Sequence, residues 1–233
     1  MRQRAEGSPE PQVERSSELA LIPVLATAAY YAVPVELQGA PAVQFLPQIL
    51  AYGSLALWAT KNVGLALRLG LGSSQFAQGL RWGLPVGAIL GTLNTIVILW
   101  AVPWLGADIE FLRDTPHARM PVFIMLPWGI FLIAIGVELN FRGFLLGRLL
   151  ALSQRSQLRD SPRVGTGIAV IVSALVFSFD PFMVSTFKHL HWIAVWDGLV
   201  WGMMWVRRGN LYATIMAHAV EVVVMYSVLK LLW

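Results

Sequence analysis

The feature that most constrains this chain is a series of apolar segments, each about 20 residues long. An α-helix needs about 20 apolar residues to cross the hydrocarbon core of a bilayer. The chain is 57% hydrophobic and only 13% charged, whereas a soluble domain is about one-quarter charged. The runs are much longer than the roughly 10-residue alternating strands of a membrane barrel. The sequence therefore predicts an all-α, polytopic transmembrane helix bundle.

Seven candidate spans can be placed along the chain. They cover about 19–35, 43–60, 82–105, a run from 121 into 136–143, 166–184, 192–206 and 211–229. Beyond Gly143 the pattern predicts an amphipathic helix along the inner membrane interface. We expect the polar residues 1–17 to be a disordered cytoplasmic tail and residues 18–233 to form a single transmembrane domain.

The distribution of basic residues predicts the orientation of the bundle. If the N-terminus is cytoplasmic, 13 of the 17 Lys and Arg residues fall in cytoplasmic segments and four fall in external ones. Cytoplasmic loops are enriched in Lys and Arg, so this orientation is favoured. The same bias explains the net charge of +4 without a nucleic-acid partner. The chain has no cysteine, which excludes disulfides and thiol catalysis.

Ionisable residues interrupt the apolar runs, where each is costly if it faces lipid. They are Glu138, Arg142, Asp180, Asp197, His218 and Glu221. Glu138 and Arg142 are four residues apart with the acid first, so on a helix they share a face in the favourable order. The set predicts an internal polar cavity. For the Glu138–Arg142 pair alone, an ion pair that pins two helices is the structural alternative.

The depths of these residues indicate which of them meet. His218 lies roughly 10 Å from the inner surface, at a depth close to that of Glu138 and Arg142. His218 and Glu221 are three residues apart and share a helix face, so the histidine could instead bond Glu221 or a backbone carbonyl. Asp180 lies deeper and joins the group only if its helix breaks, for which Pro181 supplies a site.

The histidine spacing does not indicate a metal site. The segment from His218 to Val222 has no second histidine, so it lacks the His-Glu-x-x-His pattern of zinc proteases and its inverse. His189 and His191 are two residues apart, a poor chelating geometry on a helix. We expect neither a metal nor another cofactor.

Several motifs occur together in the second half of the chain. They are Glu138-x-x-x-Arg142-Gly143-Phe144-Leu145, Trp196-Asp197-Gly198-Leu199, Arg207-Arg208-Gly209-Asn210-Leu211-Tyr212, and His218-Ala219. With these motifs the chain resembles the CAAX-protease and bacteriocin-processing (CPBP, also called Abi) family over about residues 65–225. The resemblance implies an intramembrane endopeptidase that uses a glutamate and no obligatory metal, in a bacterial inner membrane.

The resemblance also implies which chemical groups have changed. The family's first motif has two adjacent glutamates, of which the first activates water and the second pairs with the arginine. Glu138 matches the second glutamate, and Val137 stands in the place of the first. In the third motif His218 is kept, but Val222 stands where an asparagine or aspartate is expected. Loss of the base removes a contribution of about 10²–10⁴ in rate.

The histidine of the second motif is also replaced. The preferred alignment puts Pro181, preceded by Asp180, at the histidine position. A literal Phe-x-x-x-His occurs ten residues later and ends at His191. Whether Asp180 or His191 substitutes for the missing group stays open at this point.

Two functions are compatible with this pattern. The first is a divergent peptidase that cleaves a membrane-associated peptide or protein, with Glu138, Asp180 or Glu221 as base and His218 as oxyanion donor. The second is a non-catalytic family member that binds a membrane protein or peptide in the same cavity, as a scaffold or regulator. Both act within the lipid bilayer, and both leave Arg142 as the partner of Glu138.

Overall fold

In the computed structural model, which describes residues 14–232, the chain forms helices, and no strand occurs in that range. The principal helices are α1 (Leu21–Tyr30), α2 (Pro41–Thr60), α3 (Phe76–Ile96), α4 (Ile130–Glu138), α5 (Pro162–Ser178), α6 (Pro181–Phe187), α7 (Ile193–Arg208) and α8 (Leu211–Leu232). Shorter helical segments are Ser17–Ala20, Val35–Gln38, Leu65–Leu69, Ser73–Gln75, Val97–Ala101, Val102–Trp104, Glu110–Asp114, Pro116–Arg119, Val122–Ile124, Met125–Gly129, Leu139–Leu146, Gly147–Ser153, Gln157–Asp160 and Lys188–Leu190. The predicted all-α class is confirmed.

The described residues contain four helices that are long and apolar enough to cross a membrane. These are Pro41–Thr60, Leu65–Trp104, Val122–Ser153 and Leu211–Leu232. A fifth span results if α5 and the helix after it are taken as one element bent by 54°. The expected number of seven is therefore not confirmed. The first apolar helix, Ser17–Tyr30, and the 16-residue α7 are both shorter than the usual spanning length.

The helix that carries Glu138 continues well past Gly143. It runs through the π-helical segment Leu139–Leu146 into Gly147–Ser153. Phe144 and Leu146 are fully buried. The segment therefore lies inside the bundle, which differs from the amphipathic interfacial helix that the sequence pattern predicts. The reason is that neighbours cover its polar side also: Arg148 is buried with its guanidinium 4.2 Å from the ring centre of Trp58.

Helices α3 and α8 pack with their backbones close together along a row of glycines. The row is Gly79, Gly83, Gly87 and Gly91, spaced one helical turn apart. A Cβ at position 83 would lie 2.5 Å from Cβ of Met216. A Cβ at position 91 would lie 2.8 Å from the backbone oxygen of Glu221. Small residues at such intervals allow close approach of helices in lipid. The row brings Asn94, just beyond Gly91, to the level of Glu221.

One end of the bundle gathers the N-terminal segment and three connections. Glu14 lies 3.6 Å from Arg68, and its backbone oxygen accepts from Arg155. Gly70 accepts from the Leu211 amide at 2.8 Å, at the start of α8. The end of the predicted tail thus packs on the helices, because its acid meets basic groups. The rest of the predicted tail, residues 1–13, lies outside the described residues.

The opposite end gathers the other connections. Lys230 donates to the backbone oxygen of Ala118, and Leu112 packs with Leu190 and Ile193. These two groups of connections are the same as the groups that the count of basic residues assigns to opposite sides of the membrane.

Candidate functional site

The Glu138–Arg142 ion pair that the spacing predicts is present and completely buried. Nη1 of Arg142 lies 3.2 Å from Oε1 of Glu138, and neither side chain is exposed. The guanidinium also lies over two aromatic rings, 4.6 Å from the centre of Phe177 and 4.9 Å from that of Trp201. Such rings attract a cation through their faces. Arg142 is therefore fixed by one carboxylate and two rings.

His218 meets this pair from the neighbouring helix α8. Its Nδ1 atom lies 3.0 Å from Oε1 of Glu138, and its ring stacks on Trp201 with centres 4.4 Å apart. The expectation that Glu138, Arg142 and His218 meet is thus confirmed. The alternative bonds of His218, to Glu221 or to a backbone carbonyl, are not the ones formed. Glu221 has different partners.

Glu221 belongs to a second buried cluster, with Asp197 and Asn94. The Asn94 amide donates to Oε1 of Glu221 at 2.7 Å and to both carboxylate oxygens of Asp197 at 3.1 and 3.2 Å. Trp196 donates to the Asn94 oxygen at 2.9 Å, which fixes the amide orientation. Sequence reasoning placed Asp197 in the membrane but did not assign it to the site, and it did not consider Asn94. The sequence feature that could have indicated Asn94 is its position, since its amide side chain comes one helical turn after a row of glycines.

Asp180 lies at the break that Pro181 predicts. Helix α5 ends at Ser178, and Oδ1 of Asp180 caps α6 by accepting from the Phe182 amide at 3.0 Å. The same oxygen accepts from Nε2 of Gln48 at 2.9 Å. The break is therefore stabilised by a cap and by a contact to α2.

A cavity of about 390 Å³ connects these groups. Its ionisable lining comes from Arg113, His117, Asp180, His191, Asp197, His218, Glu221 and Lys230, and most of its remaining wall is apolar. Val137 and Val222 also line it, so two positions where the family pattern implies catalytic groups present apolar side chains to the cavity. Glu138 does not line it, because Arg142 and His218 cover its carboxylate.

The two candidates for the second-motif histidine both line the cavity, but they are held differently. Asp180 is buried, whereas His191 is partly exposed and its Nδ1 lies 2.6 Å from the Lys188 oxygen. His117, which sequence reasoning missed, comes from the short helix Pro116–Arg119 and stacks on Phe187. Burial, and then the nearby His218, lower the pKa of His117. Among the described residues no group of three or more His, Asp or Glu side chains has a metal-holding arrangement.

A second groove lies on the apolar outer surface of the bundle. It is lined by Ile96, Val97, Leu99, Trp100, Ala101 and Trp104. It has no ionisable group, so the enclosed cavity is the candidate functional site.

These features define a class, namely integral membrane proteins whose helices surround a cavity with several ionisable side chains on a largely apolar wall. The family model "Type II CAAX prenyl endopeptidase Rce1-like" matches residues 119–224, which agrees with the resemblance of the chain to the CAAX-protease family. The matched range contains Glu138, Arg142, His218 and Glu221, whereas Asn94 lies outside it. Neither a curated protein nor a solved structure gives a significant match.

Proposed function

We propose that this protein is a divergent endopeptidase of the CAAX-protease family that cleaves a membrane-associated peptide or protein inside the cavity. The observation that carries the proposal is the cavity of about 390 Å³, which brings His218 and three carboxyl groups, those of Asp180, Asp197 and Glu221, to an otherwise largely apolar wall. A carboxylate base and a preorganised donor are the parts that peptide hydrolysis needs. The largely apolar wall strengthens the electrostatic part of both effects.

Glu221 is the carboxylate best placed to act as the base. It lines the cavity, is 1% exposed, and its Oε2 atom has no hydrogen-bond partner. Glu138 is covered, and its Oε1 is already in contact with Arg142 and His218. Asp180 also lines the cavity, but its Oδ1 holds the start of α6 and Gln48. Its proposed role is to keep the substrate-facing wall in place.

His218 is the proposed oxyanion donor, and Glu138 and Arg142 position it. A carboxylate only accepts hydrogen bonds, so Nδ1 of His218 carries the proton that faces Glu138. In the proposed reaction the ring also carries a proton on Nε2, and this N–H group donates to the developing oxyanion. Arg142 balances the charge of Glu138, so that Glu138 is not an unpaired charge in the bundle.

The proposed substrate has an apolar segment or chain near the cleaved bond. Phe177, Ile133, Met183 and Ile193 are among the cavity wall residues. The family description names CAAX prenyl endopeptidases, so a prenylated peptide is the first substrate to test. On this proposal the protein lies in a bacterial inner membrane. Its N-terminus lies in the cytoplasm, which is the orientation that the distribution of basic residues favours.

The second candidate is a non-catalytic family member that binds a membrane partner in the same cavity. It is favoured by the valines at positions 137 and 222, which line the cavity where the family pattern implies catalytic groups. On this reading His218 and Glu221 bind the partner and perform no chemistry.

Cleavage of a farnesylated, internally quenched CAAX peptide in proteoliposomes separates the two candidates. The peptidase proposal expects turnover by the wild type, loss of turnover in Glu221→Gln and His218→Ala, and unchanged turnover in Glu36→Gln, an exposed acid in a short helix away from the cavity. Turnover that persists in both cavity variants contradicts the assigned roles. Binding of the peptide without any turnover by the wild type supports the non-catalytic candidate.

A further inference from the structure

The side chains of Asp197 and Glu221 meet in the interior with a shared neutral partner. Each is at most 4% exposed, and Asn94 donates one amide group to both. Both carboxyl groups accept from the same Nδ2 atom of Asn94, at 2.7 Å for Oε1 of Glu221 and 3.1 Å for Oδ1 of Asp197, so their oxygens lie close together. Two ionised carboxylates repel at this separation, whereas one proton between them gives a hydrogen bond.

The charges around the pair also favour one proton. The ionisable groups that face it are Arg142 and Glu138 of the α4 helix and its continuation, and His218 one turn earlier on α8. Arg142 balances the charge of Glu138. Two further ionised carboxylates would leave a net negative charge in a segment surrounded by lipid, where unbalanced charge is costly, and one shared proton reduces that charge.

We propose that Asp197 and Glu221 form a catalytic carboxyl pair that holds one proton and performs general acid–base catalysis in place of the missing first-motif glutamate. The inference deepens the proposed function, on which its activity arm rests. It is supported by Glu221, a residue that lines the cavity and whose buried Oε2 atom has no hydrogen-bond partner. Asn94 positions the pair, since its amide orientation is fixed by Trp196.

The proposed reaction conserves the proton of the pair. The ionised carboxylate takes a proton from water as the water oxygen bonds to the substrate carbonyl carbon. The protonated carboxyl then donates its proton to the amide nitrogen as the carbon–nitrogen bond breaks. The products are a carboxylic acid and an amine, and the pair again holds one proton, on the other carboxyl group.

Infrared spectroscopy of the full chain in lipid nanodiscs tests the shared proton without a substrate. We expect a deuterium-sensitive band of a protonated carboxyl group at neutral pH. The band should be absent from the double variant Asp197→Asn/Glu221→Gln, shifted in frequency or lost in each single variant, and retained in Asp180→Asn. Absence of the band from the wild type, or an unchanged band in both single variants, overturns the inference.

The activity arm uses the same farnesylated, quenched peptide. We expect Asp197→Asn to lower kcat by about 10²-fold or more and to remove one limb of the pH profile, while Glu36→Gln retains both. Turnover in Asp197→Asn with an unchanged pH profile overturns the inference and leaves the proposed function standing. A wild type without turnover overturns the proposed function, and the infrared arm then decides whether the pair shares a proton.

Discussion

Nδ1 of His218 lies 3.0 Å from Oε1 of Glu138, although the two residues are 80 positions apart in the chain. The contact joins α8 to α4 through groups that lipid does not solvate. It also sets the orientation of the imidazole beside the cavity. Oε1 of Glu138 thereby stabilises the bundle and also orients His218, the proposed oxyanion donor.

Removal of Arg142 should strongly destabilise the bundle. Arg142→Met removes the guanidinium that pairs with the buried Glu138, and breaking a buried pair costs about 3–5 kcal/mol. The double variant Glu138→Gln/Arg142→Met should be more stable than Arg142→Met alone, since no unpaired charge remains. Thermal unfolding in detergent measures both. A melting temperature of Arg142→Met equal to that of the wild type would contradict a structural role for the pair.

The glycine row should tolerate no added side chain. Gly83→Leu should lower the melting temperature and separate α3 from α8, because even a Cβ there would lie 2.5 Å from Met216. Gly167→Leu is the matched control, since nothing lies within 4 Å of a Cβ at that helical position. Equal melting temperatures for the two variants would show that α3 and α8 are not closely packed.

His117 should make the stability of the protein depend on pH. Burial lowers the pKa of His117 below its ordinary value, so the unfolded chain binds more protons at this residue than the folded one. The free energy of unfolding should then fall as the pH drops below about 6.5 and on through the lowered pKa. Denaturant titrations from pH 8 to pH 5 should show a smaller decrease for His117→Gln. An identical pH dependence in the two proteins would show that His117 is not the residue responsible.

The proposed orientation can be measured because the chain has no cysteine of its own. Ser161→Cys and Glu110→Cys introduce single thiols at exposed positions outside the long apolar helices. We expect an impermeant maleimide added to intact cells to label Glu110→Cys and to spare Ser161→Cys until the cells are opened. The reverse pattern would place the N-terminus outside.

The features of the site that depend on the geometry of one helix alone could be predicted from the sequence. The Glu138–Arg142 pair needs only a spacing of four residues, and the break before α6 needs only Pro181. The partners of Glu221 could not be predicted, because its bond to Asn94 depends on how closely two distant helices approach. His117 was missed because it lies in a connection whose path over the cavity has no periodic signal.

Hydropathy alone also could not predict the number of spans. The segment 192–206 is apolar enough to suggest a span, but α7 has only 16 residues and its first turns pack with the connections at one end of the bundle. The fold class was predictable because it depends on the total length of apolar sequence. Individual boundaries depend on where buried polar groups find partners.

Protection of a thiol inside the cavity tests the central claim most directly. Val222→Cys places a single cysteine on the cavity wall, and Ser161→Cys provides an exposed control. We expect a farnesylated CAAX peptide to slow alkylation of Val222→Cys by a small membrane-permeant maleimide and to leave Ser161→Cys unaffected. Equal alkylation rates of Val222→Cys with and without saturating peptide would contradict the claim that this cavity receives a membrane-associated peptide.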